Sequence, residues 1–523
     1  VKISVGSITS RLSDEGYYID REGSIGLERS LGRSEVGVST DIRTPFAGEA
    51  ERESIIERYT KEIGFTKFRE LTEIDEKEIS KIGPYSIMLP WKDRRKSVSD
   101  FETQEYHGND STLDSIVDEV GKLFAPSSLR PMGLSTAVAS MPRRTMLGLP
   151  TMSSDEARID EYSQRASQVS SAHDIYPCVA GWRGQPQGLH ELPKQRLVWM
   201  FDHVETILGL SVLYPILNKL RVLPGFSAWS NDLIVDDSVT RLLIQARTNG
   251  VDVISADFSN FDASVSFTLL RCVFDLLRYW FTDDTKYRLD LLEEVFATVP
   301  LITPDGIFNS RKGGVPSGSA LTNLVDTLVN VIAGKYAAKI LGIDLIGFEV
   351  LGDDSVFVFK PTPNVAELSG ALKELGLDCN PEKQFISPVS AHFLQRWHSL
   401  DYQLGGVSRG VRSIYRALNG MLSLEHWVNV EEHRFRYLMA AREIMQVNNT
   451  RWHPMFKEFV SLVKDDDKIL RTGIDPTTVF KRAGGSEEIR SILHIASFPF
   501  NQQDPDLVEE FAATLVLREL AKS

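Results

Sequence analysis

Apolar positions recur along the chain with two periods, and the switches between them mark out most of the regular structure. Leu197, Met200, Val204, Ile207 and Leu208, followed by Leu213, Ile216, Leu217 and Leu220, repeat at three- and four-residue spacing and predict a helix over 197–220. Val251, Val253 and Ser255 alternate with Asp252 and Ile254, which predicts a strand with a buried face running up to Asp257. Helical spacing returns over 266–281 and 287–296, and 301–311 reads as a short hairpin turned at Pro304-Asp305-Gly306. A long helix follows Ser317-Gly318. Leu321, Leu324, Val325, Leu328, Val331 and Ile332 form its apolar stripe, and Ser319, Asn323, Thr327 and Asn330 occupy another face. Residues 348–351 and 356–359 flank Gly352-Asp353-Asp354-Ser355 as a hairpin. From about 412 onward four helical patterns follow, the last opened by Asp504 and Pro505. The first 120 residues mix short apolar groups with Gly, Ser and many charges, and give only isolated helical pieces such as 49–63.

Composition narrows the class. A chain of 523 residues, 42% hydrophobic and 25% charged, has the length for three or four packed units and the make-up of an ordinary globular protein, which excludes wholesale disorder and a fibrous repeat. Cys178, Cys272 and Cys379 are widely spaced with no CxxC, so neither a disulfide framework nor a structural zinc site is expected, and a reducing compartment is. Lys335, Lys339 and Asp344 interrupt the longest apolar stretch, 329–351, and residues 1–10 lack the pattern of a signal peptide. A soluble protein with no membrane partner is the expectation.

The net charge of -14 argues against a nucleic-acid binder that is basic all over, but leaves room for a basic channel inside an acidic shell. Residues 121–200 hold 9 basic and 6 acidic side chains, among them Arg130, Arg143, Arg144, Arg183, Lys194 and Arg196. On charge alone this is a solvated basic face.

Two short acidic segments carry the chemistry: Asp257-Phe258-Ser259-Asn260-Phe261-Asp262 and Gly352-Asp353-Asp354. Each puts a carboxylate at the end or turn of an apolar strand, where burial is costly unless the charge meets a cation. Adjacent strands bringing Asp257 and Asp353 to one end of a sheet would make a set of hard oxygen ligands for Mg²⁺ or Mn²⁺. Taken alone, Gly-Asp-Asp is more often a polar hairpin turn. Between the two segments lies Gly313-Gly314-Val315-Pro316-Ser317-Gly318-Ser319, followed by Thr322 and Asn323 in the first turn of the long helix. Glycines there allow close approach of a nucleic-acid strand, and a Ser before a helix N-terminus suits phosphate or ribose.

In this order, Asp257-x4-Asp262, Ser317-Gly318-x3-Thr322-Asn323 and Gly352-Asp353-Asp354 resemble palm motifs A, B and C of viral RNA-dependent RNA polymerases. The phrases DFSNFDASV, GGVPSGSALTN and LGDDS are most similar to polymerases of small segmented double-stranded RNA viruses, picobirnaviruses first and partitiviruses next. The resemblance covers residues 183–400. It implies an α+β right-hand polymerase with fingers, an RRM-like antiparallel palm and a helical thumb. The implied division is 1–70 bridging fingers and thumb, 71–245 fingers with part of the palm near 200–245, 246–270 palm motif A, 271–312 a fingers insertion, 313–400 palm motifs B to E, and 401–523 thumb and C-terminal segment.

Carried over residue by residue, the resemblance implies that Asp257 and Asp353 hold two divalent ions, with Asp354 close to the ions or the primer terminus. Asp262, with Ser317 or Thr322 and Asn323, would recognise the ribose 2′-hydroxyl, where a reverse transcriptase is expected to hold a bulky aromatic. Lys383, in a stretch resembling motif D, is a candidate proton donor to pyrophosphate. Phe393 and Leu394, resembling motif E, and Gly318 are candidate RNA contacts. Lys194 and Arg196, with Arg183, resemble motif F, whose cations meet the NTP triphosphate. Arg143 and Arg144 are candidates for the template or nucleotide entry path, or equally a solvated loop. Implied partners are template and product RNA, NTPs and a viral capsid protein, with a monomeric enzyme in the virion interior and host cytoplasm. The rival readings are a reverse transcriptase or other palm polymerase, and a non-catalytic, capsid-associated RNA-binding protein.

Overall fold

The computed structural model describes residues 5–48, 50–141, 146–493 and 504–522. Arg143 and Arg144 lie outside the described residues. At the centre is a four-stranded antiparallel sheet in the order Phe385–Ser387, Val253–Ala256, Asp354–Lys360, Asp344–Leu351. Every residue from Ser355 to Phe359 is buried, which is why this strand reads as an unbroken apolar run where an exposed strand would alternate. The helix Thr322–Leu341 lies against the sheet, and it comes close because Gly334 has no side chain: a Cβ there would meet the Phe357 ring at 2.5 Å.

A second four-stranded sheet has the order Lys194–Met200, Cys178–Gln185, Leu301–Thr303, Gly306–Phe308. Here the sequence reading needs correction, because the helix expected over 197–220 is two elements. Lys194–Met200 is a strand, and the helix runs His203–Leu220. The Asp202 side chain accepts from Val204 N–H at 3.1 Å and so sets the helix start. Leu197 and Trp199 alternate inward from the strand, so the spacing of Leu197, Met200 and Val204 joined two periods by coincidence.

The apolar interior falls into separate clusters. The largest joins the central sheet and the helices against it to residues of 91–220. A second is built from both ends of the chain: Ile42, Ile55, Tyr59 and Ile63 pack with Leu418, Ile444, Phe459 and Leu517. A smaller one sets Leu12, Leu27 and Leu31 against Val179 and Ile302 of the second sheet. The four helical patterns expected beyond 412 resolve into more and shorter pieces, from Ile414–Leu422 to Ala512–Leu520. Asp504 and Pro505 open a 3-10 turn, Pro505–Glu510, in place of an α-helix. The three cysteines are free and buried. Among the described residues no helix is long and apolar enough to cross a membrane.

Candidate active site

The sheet register brings the two acidic segments together. Ala256 pairs with Ser355 and Leu351 with Asp354, so Asp257, one residue beyond Ala256, ends its strand beside the Gly352-Asp353 turn. That turn is clamped from behind by the polar face of the Thr322–Leu341 helix. The Gly352 N–H donates to Thr327 Oγ1 at 2.8 Å, and Asn330 Nδ2 donates to the Gly352 carbonyl at 3.0 Å. Gly352 is at φ +61, and a Cβ there would sit 2.9 Å from Asn323 Oδ1. On the other strand the Gln384 amide brackets the Asp257 backbone, accepting from its N–H and donating to its carbonyl, each at 3.0 Å. Lys383, exposed, stands one residue before that glutamine.

Motif A then turns sharply. Phe258 and Phe261 stack edge to face at 5.0 Å in the interior around Asn260, which adopts φ +49, and this carries Asp262 back toward the turn. Asp262 and Asp326 meet side chain to side chain. Burial, and then the charges of Asp262 and Asp353, hold Asp326 well above the usual carboxylate range, so Asp326 keeps the proton and donates to Asp262. Asp326 was missed in the sequence, although it falls on the same helical face as Asn323, Thr327 and Asn330.

Enclosure by protein raises the Asp353 carboxyl, and Arg196 pulls it back down. Asp354 is pushed up to about 7, first by burial and then by the charge of Asp353, while accepting from the Leu394 N–H at 2.8 Å. Among the described residues none of Asp257, Asp353 and Asp354 forms an ion pair with Lys, Arg or His, and no three His, Cys, Asp or Glu side chains close a ready-made metal cage. These are carboxylates that a cation would relieve.

The correction at 194–200 supplies that site's opposite wall. On a helix Lys194 and Arg196 would diverge; on a strand they share a face. In the paired ribbon Arg196 stands opposite Arg183 and Lys194 opposite Gln185, which gathers three cations on one side. Like charges directly opposite repel, so this face favours an anion. Arg196 Nε also donates to Gln185 Oε1 at 3.0 Å, and Arg183 reaches across to Glu425 at 3.0 Å.

The glycine-rich loop is strapped to this wall. Trp199 N–H donates to the Ser317 carbonyl at 2.7 Å and Ser317 Oγ to the Leu197 carbonyl at 3.1 Å, so the Ser317 hydroxyl is engaged with backbone. Gly318, at φ +129, lies on the Trp199 backbone, where a Cβ would be 2.1 Å from the carbonyl oxygen. Ser319 Oγ donates to Glu205, a fully buried acid with its carboxyl pushed up to about 7 by burial and with a second hold on the loop through the Ala320 N–H. Glu205 also escaped the sequence reading, since an acid inside an apolar helix pattern carries no local signature.

Thr322, Asn323 and Asp326 line a cavity of about 800 Å³ with Asp353, Asp354 and Leu394. Phe393 is wholly buried, so of the three residues expected to meet RNA, Gly318, Phe393 and Leu394, only Leu394 lines the cavity. Arg196 acts on both Asp353 and Asp262, so the cationic strand and the strand-end carboxylates belong to one site, with the strapped glycine loop held against the strand.

The family model described as viral RNA-dependent RNA polymerase matches residues 153–447, more than half of the chain. The chain belongs to that family. It is 29% identical over 470 residues to the potential RNA-dependent RNA polymerase of Human picobirnavirus (strain Human/Thailand/Hy005102/-), covering 83% of each chain. To the RNA-directed RNA polymerase of Cryptosporidium parvum virus 1 (strain KSU-1) it is 29% identical over 324 residues, 55% of this chain and 59% of that one. The crystal structure of the RNA-dependent RNA polymerase of a human picobirnavirus superposes with a TM-score of 0.83 at 23% identity, over 99% of this chain and 100% of that one. The right-hand polymerase fold is therefore shown, and the enzyme is a viral nucleotidyltransferase, which removes the non-catalytic rival.

Proposed function

We propose that this polymerase replicates and transcribes a viral double-stranded RNA genome by two-metal-ion nucleotidyl transfer. The observation that carries the reading is the meeting of Asp257 with Asp353 and Asp354 on neighbouring strands, facing the Lys194 and Arg196 ribbon. Two ions, Mg²⁺ or Mn²⁺, held by Asp257, Asp353 and Asp354, would supply Lewis-acid activation of the RNA 3′-hydroxyl and neutralise charge on the leaving pyrophosphate. The donor set fits them: hard carboxylate oxygens, free of ion pairs among the described residues, with Asp353 and Asp354 raised in pKa by burial and by neighbouring carboxylates.

The chain's own residues divide the remaining work. Lys194, Arg196 and Arg183 would orient the triphosphate, and Lys383 would supply a proton to the leaving pyrophosphate. Asp262, oriented by the proton that Asp326 keeps, accepts from the ribose 2′-hydroxyl, and Asn323 lines the cavity that would admit it. Asp262→Ala is accordingly expected to cut the preference for NTP over dNTP by about tenfold or more, because a site built to bond a hydroxyl discriminates through it. Competing single-nucleotide insertion measures this, and an unchanged ratio would remove Asp262 from ribose selection.

On the same reading the partners are template and product RNA and NTPs, and the monomeric enzyme works in the virion interior and host cytoplasm beside a viral capsid protein. Extension of a primed RNA template by the purified chain, with and without Mg²⁺, tests the whole. Metal-independent synthesis would overturn it.

A further inference from the structure

A cavity of about 980 Å³ opens beside Asp344–Leu351, the edge strand of the central sheet, and among the described residues it shares no lining residue with the catalytic cavity. The helix Asp232–Asn249 stands between the two. Its Asp232 and Val235 line the catalytic side, whereas Ile234, Ser238, Arg241 and Gln245 form a stripe at helical spacing on the other. The third wall is the turn that follows the helix His203–Leu220. These walls are fixed to one another. Gly225, at φ +88, lies on Phe348, where a Cβ would be 2.2 Å from the ring, and its carbonyl accepts from the Val350 N–H at 3.0 Å. The enclosed Glu349 carboxyl accepts from the Ser227 N–H at 3.2 Å, from Ser227 Oγ at 2.6 Å and from Ser238 Oγ, which ties turn, helix and strand together.

The walls carry three kinds of contact. Val222 and Ile234 are exposed, and with Leu345 and Ile346 they give the cavity an aliphatic surface. Arg221 and Arg241 stand exposed on the turn and helix walls, and among the described residues neither side chain makes an ion pair or a hydrogen bond. Asp237 and Asp344, exposed acids of the same helix and strand, do not line the cavity. The third contact is backbone. Val350 turns its N–H away from the neighbouring strand, toward Gly225, so Phe348, two residues earlier in unbroken register, turns its N–H and carbonyl the same way. Among the described residues neither group has a partner there, while Gln245 Nε2 caps the Ile346 carbonyl at 2.8 Å.

Aliphatic walls with two cations would suit a fatty acid as well as a peptide, but an open donor and acceptor on an edge strand are met by another peptide backbone. RNA fits less well. Phe348 is the one aromatic residue lining the cavity among the described residues, and Gly225 and Phe226 close on its ring, so little ring face is left for a base.

We propose that this cavity binds an extended segment of a partner protein, acidic and aliphatic in composition, which pairs with the edge strand at Phe348 and with Arg221 and Arg241 while the RNA path stays open.

The test selects short random peptides, displayed on phage, against the immobilised full chain, with the Arg221→Glu/Arg241→Glu variant as counter-target. Selected peptides are expected to carry Asp or Glu among Val, Ile and Leu. Their labelled synthetic copies should bind the chain, lose about tenfold or more in affinity to the charge-reversed variant, and weaken as KCl rises. Both arginines are exposed, so that variant keeps wild-type Tm and RNA extension. Ile234→Trp, which fills the cavity from an exposed position, should abolish binding at unchanged Tm. Copies N-methylated at successive residues should include one that no longer binds, as edge pairing requires. Saturating peptide leaves RNA extension unchanged; a block would overturn the separation from the RNA path. Peptides no richer in acid than the library, or bound equally well by the charge-reversed variant, overturn the proposal. A short oligouridylate or phosphatidylserine vesicles that lose affinity on the same charge reversal, with the peptides unaffected, would assign the site to RNA or lipid and overturn it too.

Discussion

Asp353→Ala is expected to lower the rate of RNA chain extension by about three orders of magnitude, and Asp257→Ala to do the same. The reasoning is electrostatic. Metal-bound oxygens contribute several kcal/mol to phosphoryl-transfer barriers, and about 4 kcal/mol corresponds to roughly a thousandfold in rate. Neither change should cost the fold. Asp353 occupies the hairpin turn outside the strand ladder, and Asp257 engages its neighbour Gln384 through backbone, so alanine keeps both hydrogen bonds. RNA affinity should hold or rise, since a carboxylate that repels phosphate has gone. Single-turnover extension together with RNA Kd reads both effects; a rate within tenfold of wild type would sink the metal assignment. Asp354→Ala differs in kind, because it also releases the Leu394 N–H and loosens the hairpin to which Leu394 belongs.

The second large effect is expected from Gly318→Ala, which adds one methyl group. At φ +129 an alanine is strained before it meets anything, and its Cβ would be 2.1 Å from the Trp199 carbonyl oxygen, a backbone atom that cannot swing aside. Strain and overpacking together amount to about 2–5 kcal/mol. The loop can avoid them only by lifting off the cationic strand, breaking the Trp199 to Ser317 and Ser319 to Glu205 bonds. The expected result is a raised KM for NTP together with a reduced kcat, since the cationic strand and the glycine-rich loop lose their common register. Normal kinetics with intact folding would show that the strap is dispensable.

The palm was legible because its chemistry is written locally. Asp257, Asp262, Asp353 and Asp354 sit in short phrases whose strand ends and turns can be read without knowing what packs on them. Asp326 and Glu205 could not be read that way. Each is one polar residue in a helix read for its apolar pattern, and its meaning comes from what the fold sets against it: a second carboxylate or a loop hydroxyl. The strand at 194–200 was misread for another reason. Leu197 and Met200 fall at helical spacing from Val204 across a boundary that a single capping residue, Asp202, decides. The first 120 residues stayed obscure because their apolar groups complete cores whose other halves lie elsewhere, as Tyr59 does against Phe459 at a ring separation of 6.1 Å.

That last feature bears on how the enzyme is made. Ile42, Ile55, Tyr59 and Ile63 leave the ribosome early, while Phe459 and Leu517, which cover them, leave late. Until those later residues emerge, the early segment has an apolar face with no permanent cover. The helices from Ile414 to Leu520 cannot finish their interior without it, so the two distant stretches of chain close together or not at all.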